Sequence, residues 1–489
     1  MNKRGRQVVD IARYFHHLDN DATIAALERR VENGDSIFDN VDAGVWFRDC
    51  HTEVDQPVQG TVEGVIPSWI DGVLIRNGPG SWNVGEESFD HLFDCSGLLH
   101  RFKISSGLVT YQCKFIKSES YIKNHAARRI VVTGFGTRFV PDPCASIFQR
   151  IATLFKPGSD NTLVSVYPIQ DQVYALGDSN YMHRIDPATL DTLEKMDLAR
   201  DVTILHQTSH PLTTSDGETF NLGVTLRPTG PRYCILQLND VADHRVKLVT
   251  SVPVRWKFHP GYMHTFAMTP HYFIIVEQPL SISVPRLIKN SVTNRPLATC
   301  LKFFEKQSTI FHVLDKTTGS VNIHSTPRYA QMFRARPLRF RLDLASPRTA
   351  PTGKVRPSVI CDVGCETPRM NGQHQGRPYT YFYAISADID RDNPGTLIKV
   401  NVQNNTCKSW SQKDVYPSEP VFVATPNAVK EDEGVLLSVL LWSHHPTRVS
   451  LLVLNARTMQ ELGRVNFTTP TPVPKCLHGW YFPHERKDA

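Results

Sequence analysis

Three histidines stand where a strand-like segment of the sequence meets a turn. They are His210, which precedes a proline, His264, which lies among small and apolar residues, and His478, which precedes a glycine near the C-terminus. Neutral imidazole nitrogens suit iron, copper, zinc and nickel, and side chains at the ends of separate strands can converge. The pattern therefore favours one metal site shared by distant segments. The chain has 20 histidines, so a core or surface role for each is the alternative on pattern alone.

Three carboxylates also lie beside strand-like segments and not in charged runs. They are Asp178, Glu366 and Glu419. A metal-bound imidazole normally donates its other ring N–H to a carboxylate or a carbonyl, which fixes the orientation of the ring. These three residues are the candidates for that role, and an exposed loop carboxylate is the alternative for each. We find no Ser-His-Asp or Cys-His arrangement that would indicate a covalent nucleophile.

The elements that must position these side chains are predicted to be short β-strands. From residue 45 the sequence alternates apolar, β-branched runs with turn residues, and its 33 prolines and 28 glycines fit strands and loops better than helices. A propeller protects the sheet edges of a long all-β chain by radial repetition. A faint repeat supports this fold, because a strand is followed by Asp or Asn and, three residues later, Thr at Asp186, Asp315 and Asn455. Ordinary β-turns are the alternative.

Sequence pattern, net charge and cysteine spacing indicate the domain organisation and the cellular compartment. Residues 1–44 are predicted to form a leader, helical over residues 7–32, and residues 45–485 one β-propeller domain. A net charge of +6 on 489 residues does not indicate a nucleic-acid partner, although it permits contact with an anionic membrane surface. The ten cysteines lack CxxC pairs, which indicates free thiols in a reducing compartment. We therefore expect a cytoplasmic protein in preference to a mitochondrial one.

Residues 144–155 form an apolar stripe if they are helical. Ile147, Phe148, Ile151, Leu154 and Phe155 then lie on one face. A helix that faces the protein core and an interfacial helix that dips into a membrane both fit this pattern.

Six motifs, taken together and in order, resemble the carotenoid cleavage oxygenase family, and specifically its animal branch of β-carotene oxygenases and the retinoid isomerohydrolase. They are residues 75–80 (IRNGPG), 93–102 (FDCSGLLHRF), 208–211 (TSHP), 262–269 (YMHTFAMT), 416–420 (YPSEP) and 478–479 (HG). The segment Pro141-Asp142-Pro143-Cys144 is typical of that branch. The resemblance extends from about residue 45 to residue 483.

The resemblance implies a seven-bladed β-propeller with a non-haem Fe(II) on its axis, held by four histidines and open to O2. His210, His264 and His478 match three of those ligands. Glu366 and Glu419 match two of the carboxylates that orient ligands in the family, and Asp178 stands where the family has a third glutamate. Because aspartate is one methylene shorter, we expect a longer contact there.

The fourth histidine of the family has no counterpart in this sequence. The family carries it between the segments matched by residues 311–316 and 337–344, which are here separated only by residues 317–336. The short interval predicts that a block of strands and a helix is missing, as in a splice variant or an imperfect gene model, and that one blade is truncated. His324 is a candidate substitute ligand, whereas His312 belongs to a strand that the family keeps in addition to its ligand. A truncated blade would expose sheet edges and apolar faces.

The function that the resemblance implies is cleavage of a conjugated C=C bond of a carotenoid or apocarotenoid by an Fe(II) dioxygenase, feeding retinoid metabolism. The alternatives are a catalytically silent isoform that binds carotenoid or retinoid, and a retinyl-ester isomerohydrolase. Family members take apolar substrates from membranes, which favours the interfacial interpretation of Phe148 and Phe155. It also makes Cys144 a candidate for acylation.

Overall fold

The computed structural model describes residues 43–138, 159–200, 202–293, 295–326, 335–344, 355–386 and 395–484. The predicted helix at residues 7–32 and the segment at 144–155, with Cys144, Phe148 and Phe155, lie outside these ranges. No helix within them is long and apolar enough to cross a membrane.

The described chain is built almost entirely from antiparallel strands, grouped in six large sheets. Sheet 1 contains, in order across the sheet, β1 (Val54–Gln59), β7 (Leu108–Phe115), β6 (Ser96–Ser105), β3 (Gly72–Ser81) and β34 (Gly479–Pro483). Sheet 2 contains β11 (Thr192–Asp197), β10 (Tyr181–Ile185), β9 (Gln172–Leu176) and β8 (Ser165–Ile169). Sheet 3 contains β12 (Ile204–Gln207), β14 (Thr219–Arg227), β15 (Gly230–Gln237) and β16 (Lys247–Pro253), with β13 (Leu212–Thr213) also on β14.

The remaining three large sheets follow in the second half of the chain. Sheet 4 contains β17 (Ala267–Met268), β18 (Tyr272–Glu277), β21 (Ile310–Asp315) and β22 (Val321–Ser325). Sheet 5 contains β25 (Glu366–Arg369), β26 (Tyr381–Ile385), β27 (Leu397–Asn401) and β28 (Thr406–Trp410). Sheet 6 contains β2 (Thr61–Gly64), β33 (Glu461–Thr468), β32 (His445–Asn455), β31 (Gly434–Trp442) and β29 (Val415–Pro417), with β30 (Val421–Ala424) also on β31.

The remaining described elements are short and lie outside the six large sheets. The two-stranded sheets are β4 (Asn83–Val84) with β5 (Glu87–Ser88), β19 (Leu280–Ile282) with β20 (Leu301–Phe303), and β23 (Leu338–Arg339) with β24 (Ser358–Val359). The described α-helices are α1 (Glu119–Ala127) and α2 (Val284–Thr293). The 3₁₀ turns are Ala43–Phe47, Leu92–Asp94, Val241–Asp243, Leu297–Cys300 and Gly372–His374.

The two ends of the described chain close the ring of sheets. The early strand β2 pairs with β33 in sheet 6, and the last strand β34 pairs with β3 in sheet 1. Each terminal strand therefore completes a sheet whose other strands lie far away in the sequence, which removes the open edges that a linear array would leave. This architecture confirms the predicted β-propeller.

The predicted hairpin turns are also confirmed. The side-chain oxygen of Asp186 accepts hydrogen bonds from the backbone N–H groups of residues 188 and 189, at 2.7 and 3.2 Å. Asp315 accepts from residues 317 and 318 at 2.9 and 2.7 Å, and Asn455 from residues 457 and 458 at 2.9 and 3.0 Å. The three turns join the strand pairs β10–β11, β21–β22 and β32–β33. One local turn chemistry is thus repeated in three different blades.

The number of blades differs from the expectation of seven, because the described residues form six large sheets. Between sheets 4 and 5 the described chain supplies only β23 and β24, each of two residues. A blade strand is usually about five residues long, so this interval holds too little described strand to build a seventh blade.

Packing between neighbouring sheets is continuous except at that same interval. Buried clusters join sheets 1 and 2, for example through Ile75 and Val173, and likewise sheets 2 and 3, 3 and 4, 5 and 6, and 6 and 1. Among the described residues, no such cluster joins sheets 4 and 5. Ile360 and Phe382 instead lie in a small cluster on the sheet 5 side of the interval.

Candidate metal centre

The three predicted histidines come together, although they belong to three different sheets. His210 lies between β12 and β13, His264 lies just before β17, and His478 lies directly before β34. The Nε2 atoms of His210 and His264 are 3.1 Å apart, and the centroids of their rings are separated by 4.6 Å. The ring of His478 is perpendicular to that of His210, with 4.7 Å between the centroids.

The imidazole nitrogens of these three histidines are donors that suit a divalent transition metal. Two nitrogens bound at right angles to one ion, each about 2.1 Å from it, lie about 3.0 Å apart, close to the separation of the two Nε2 atoms. The set is incomplete, since the described residues contain no three histidine, cysteine or carboxylate groups already arranged around a single point. Three imidazoles with orienting carboxylates are nevertheless a donor set that Fe(II) accepts.

The imidazole of His478 is held tightly by Glu419. The distance from His478 Nδ1 to Glu419 Oε1 is 2.8 Å, and the Gly479 backbone N–H donates to Oε2 at 3.1 Å. Burial alone would raise the pKa of Glu419, but the charges of Arg369 and His478, the His478 hydrogen bond and the charge of Arg76 outweigh it and lower the pKa to about 2. The contact at Nδ1 leaves Nε2 available to a metal.

His264 is held more loosely. The distance from its Nδ1 to Asp178 Oδ2 is 3.7 Å, which agrees with the expectation of a longer contact from the shorter side chain. Asp178 accepts hydrogen bonds from the Ser209 hydroxyl at 2.9 Å and from the Tyr262 hydroxyl at 3.0 Å. Interaction with Asp178 raises the pKa of His264, and burial opposes that shift. Burial would raise the pKa of Asp178, but interaction with His264 and the Ser209 hydrogen bond lower it.

His210 has an environment that keeps it neutral. Burial lowers its pKa to about 3, and the charges that His478 and His264 carry when protonated act in the same direction. Only the neutral imidazole has a lone pair for a metal, so this environment favours ligation over protonation.

Glu366 holds no histidine in place, and His324 does not complete the set of ligands. Glu366 begins β25 and pairs with Ile385 there, but its carboxylate accepts no hydrogen bond within the described part of the chain. Burial by the surrounding protein raises its pKa, and the charges of His264 and His478 oppose that shift. His324 is buried on β22, three strands away from β17, which corresponds to roughly 14 Å. The idea that His324 substitutes for the fourth ligand is therefore wrong, because its strand lies at the far side of sheet 4.

His312 has a structural partner, in agreement with its expected place on a blade strand. It lies on β21, and its Nε2 is 2.9 Å from Glu277 Oε2.

Several residues that position the histidines were not predicted as site residues. Asn77 exchanges backbone hydrogen bonds with the segment at His478 and donates from its side chain to the carbonyl of Ser165 at 3.0 Å. The hydroxyl of Ser165 in turn donates to the carbonyl of Ser209, next to His210, at 2.5 Å. This chain of polar groups ties two of the histidine segments together.

Arg76 is a second residue of this kind. It is fully buried, and its guanidinium donates to the carbonyls of Glu419 and Leu477 at 2.9 and 2.7 Å. The sequence signal was available, because Arg76 and Asn77 are two polar residues in succession within an otherwise apolar strand.

Comparisons with known proteins agree on one family. The family model described as retinal pigment epithelial membrane protein matches residues 47–335 and 322–483. Over 92% of its length the chain is 43% identical to carotenoid isomerooxygenase of Galleria mellonella, covering 98% of that protein. Over 88% of its length it is 30% identical to β,β-carotene 15,15′-dioxygenase of Gallus gallus, covering 96% of that protein.

Solved structures show the same fold. A variant of the Synechocystis apocarotenoid oxygenase superimposes with a TM-score of 0.74 at 21% identity, covering 90% of this chain and 99% of the other. A cobalt-substituted form of that oxygenase superimposes with a TM-score of 0.73, again at 21% identity and with the same coverage.

Proposed function

The chain belongs to the retinal pigment epithelial membrane protein and carotenoid oxygenase family, and from that premise we propose that it is a non-haem iron dioxygenase that cleaves a conjugated C=C bond of a carotenoid or apocarotenoid. The observation that carries the proposal is the convergence of His210, His264 and His478, with Nε2 atoms of the first two 3.1 Å apart. O2 and the two alkene carbons together account for the two carbonyl products, so no other oxidant is needed.

The chain's own residues would bind and orient, and Fe(II) would supply the activation of O2. His210, His264 and His478 are the proposed ligands. Glu419 holds the ring of His478, and Asp178 faces that of His264. Neither carboxylate needs to transfer a proton, which is consistent with the absence of a general base from the proposed reaction.

The insect relatives favour a refinement of this reaction. Proteins of Galleria mellonella and Drosophila melanogaster, 43% and 38% identical to this chain, are named carotenoid isomerooxygenases. We therefore propose that cleavage is accompanied by isomerisation of a polyene double bond. Chromatography that separates cis and trans products of β-carotene would test it, and purely trans products would refute the isomerisation.

The test of the main proposal is iron content together with turnover. We expect close to one Fe(II) per folded chain after anaerobic loading, followed by aerobic conversion of β-carotene to aldehyde products. His210→Ala should abolish both, whereas His374→Ala, which changes a partly exposed histidine at the end of the 3₁₀ turn Gly372–His374, should abolish neither. A folded protein that takes up no Fe(II) would refute the proposal.

A second candidate function is binding of carotenoid or retinoid without turnover. It is favoured by the incomplete ligand set, since the described residues do not already surround one metal position. A folded chain that binds β-carotene or retinol but shows no product and no iron would establish this alternative. Retinyl-ester isomerohydrolysis would use the same site, and no observation favours it.

We also propose that β23 and β24 are the remnant of a seventh blade. Two observations support this: the family match consists of two pieces that meet at residues 322–335, and the buried clusters are interrupted between sheets 4 and 5. We expect the corresponding segment of the Galleria protein to carry a fourth histidine, and replacing residues 326–335 with that segment tests the proposal. Fe(II) affinity should then rise about tenfold or more, and an unchanged affinity in a folded chimera would refute the proposal.

We propose that the protein is cytoplasmic and associates with membranes through a surface around α2, in addition to the predicted segment at residues 144–155. Phe258, Ile288 and Phe303 are 60%, 62% and 51% exposed. The backbone N–H of Val284 donates to the carbonyl of Phe258 at 3.0 Å, so the loop and the helix adjoin. Exposed apolar side chains of this size are typical of interaction surfaces.

Basic side chains border the same surface. Arg286 donates to the carbonyl of Leu301 at 3.3 Å, and the charges of Lys302 and Arg286 help to lower the pKa of His259, after burial. Aromatic and aliphatic side chains flanked by cations suit an anionic bilayer.

The membrane proposal is tested with vesicles of phosphatidylcholine and phosphatidylserine. Ile288→Asp combined with Phe258→Asp should reduce co-sedimentation several-fold. Val429→Asp, at a side chain that is 92% exposed, is the matched control and should change nothing. Equal co-sedimentation of all three proteins would refute the surface.

A further inference from the structure

The loop that carries His264 rests on a buried tyrosine of the neighbouring sheet. The backbone N–H of Gly261 donates to the Tyr233 hydroxyl at 2.8 Å, and that hydroxyl donates to Glu277 Oε1 at 2.7 Å. Tyr233 lies on β15 of sheet 3 and Glu277 on β18 of sheet 4, and both are completely buried. The loop is thereby fixed three residues before His264.

Glu277 is itself held by several groups. Its Oε2 is 2.9 Å from His312 Nε2, and its Oε1 accepts from the Arg255 backbone N–H at 3.0 Å. Burial would raise the pKa of Glu277, but hydrogen bonds from His312 and Tyr233 lower it. The carboxylate is thus an ionised acceptor in a low-dielectric site, where hydrogen bonds are strong. Glu277 Oε1, which accepts the hydrogen bond from the Tyr233 hydroxyl, is therefore fixed in position.

The loop passes so close to the tyrosine that a side chain does not fit. A Cβ on Gly261 would lie 2.7 Å from the Tyr233 hydroxyl oxygen. The next residue, Tyr262, donates its backbone N–H to the carbonyl of Leu280 at 2.9 Å, and its hydroxyl contacts Asp178. Each of the two residues is therefore held by a contact outside the loop.

These backbone contacts matter because the side chain of His264 makes only one weak contact with a carboxylate. Its distance from Asp178 is 3.7 Å, longer than a hydrogen bond, and the side chain is 53% exposed. We propose that Tyr233, held by Glu277, is the positioning residue for His264 and fixes this ligand through the backbone at Gly261. The inference rests on the proposed role of His264 as a metal ligand.

Tyr233→Phe tests the inference, because it removes only the hydroxyl. We expect anaerobic titration with Co(II) to show about tenfold weaker binding, the low end of the effect of removing groups that orient metal ligands. The visible absorption of bound Co(II) should also change, which a purely structural defect would not cause. Tyr383→Phe is the matched control, since that buried hydroxyl has no hydrogen-bond partner in the described chain.

A stability-matched variant separates positioning from general destabilisation. Val109→Ala removes buried volume from sheet 1, far along the chain from this loop, and should lower the melting temperature without altering the affinity for Co(II). If Tyr233→Phe does not fold, Gly261→Ala is the second variant and should weaken binding by displacing the loop from the phenol.

The outcomes are distinguishable. Equal affinity and spectra for the wild type and a folded Tyr233→Phe, or a loss no larger than that of Val109→Ala, would overturn the positioning role alone. A folded wild-type protein that binds neither Co(II) nor Fe(II) would overturn the proposed function, and the role of Tyr233 with it.

Discussion

The two imidazole–carboxylate pairs of this site are built differently. His478 and Glu419 are 2.8 Å apart, and Glu419 is 2% exposed beneath two arginines. His264 and Asp178 are 3.7 Å apart, and the histidine is half-exposed. The first pair is thus held through its side chains, whereas the second depends on the backbone of its loop. One site can therefore combine a rigid ligand with one whose placement is indirect.

The difference follows from the residues around each carboxylate. The arginines Arg76 and Arg369 supply positive charge to Glu419, 4.0 and 3.6 Å from its oxygens, so its charge is compensated although it is buried. Asp178 has a shorter side chain, and its two oxygens are engaged by the hydroxyls of Ser209 and Tyr262. The aspartate is therefore anchored away from the imidazole that it faces.

The largest expected effect is at the rigid pair. Glu419→Gln keeps the shape of the side chain but leaves the charge of buried Arg76 uncompensated. We expect it to lower the free energy of unfolding by about 3 kcal/mol, the lower end for breaking a buried ion pair, and to weaken Fe(II) binding up to about a hundredfold. Urea denaturation and metal titration would measure the two effects.

Asp178→Asn is the comparison for that variant. It should cost only about 1 kcal/mol, because one of the hydroxyls of Ser209 and Tyr262 can still donate to the amide oxygen and the other can accept from the amide NH2. Similar losses of stability in the two variants would contradict the distinction between a rigid and a loose pair.

A smaller effect is expected from lengthening the side chain of Asp178, the carboxylate of the loose pair. Asp178→Glu adds the methylene that the contact with His264 lacks, and should bring the carboxylate within hydrogen-bond distance of Nδ1. Affinity for Fe(II) should then rise up to about tenfold, as ligand orientation improves. Glu419→Asp is the mirror control, since it lengthens the tight contact and should weaken binding. A weaker Asp178→Glu protein would show that the space around Asp178 does not admit the longer side chain.

The features of the fold and of the site that the sequence predicted correctly are those that depend on residues close together in the chain. His210, His264 and His478 stand at strand ends that turn residues mark, and the turns at Asp186, Asp315 and Asn455 depend on contacts within three residues. The oxygen of each turn residue bonds to backbone groups that follow it directly. Such features need no knowledge of strand order.

The parts that could not be predicted depend on contacts between distant segments. His324 looked like a ligand candidate because the order of strands within sheet 4 is not visible in the sequence. In the sequence, Tyr233 and Glu277 have no feature that distinguishes them from other strand residues. Only the packing of two sheets brings Tyr233 into hydrogen-bond contact with both Glu277 and Gly261. The resemblance implied seven blades with one of them truncated, and the described residues form six large sheets, with only two strands of two residues each in that interval.

The smallest effect concerns pH, and the two pairs should respond with opposite sign. The folded pKa of Glu419 is about 2, below its ordinary 4.5, so its contribution to stability is present above pH 4.5 and is lost as the pH falls towards 2. The folded pKa of His264 is raised above 6.5, so its contribution is present below pH 6.5 and is lost as the pH rises through the raised value.

The histidine effect can be isolated in the metal-free protein. Comparing wild type with His264→Gln by urea denaturation at pH 6 and pH 8.5, we expect the wild type to gain about 0.3 kcal/mol relative to the variant at the lower pH. The gain is small because the pair is half-exposed and solvent screens it. His210→Gln should give the opposite sign, since burial lowers the pKa of His210 and protonation at low pH therefore opposes folding. The same sign in both variants would mean that Asp178 does not interact with His264 in solution, and the loop alone would then position this ligand.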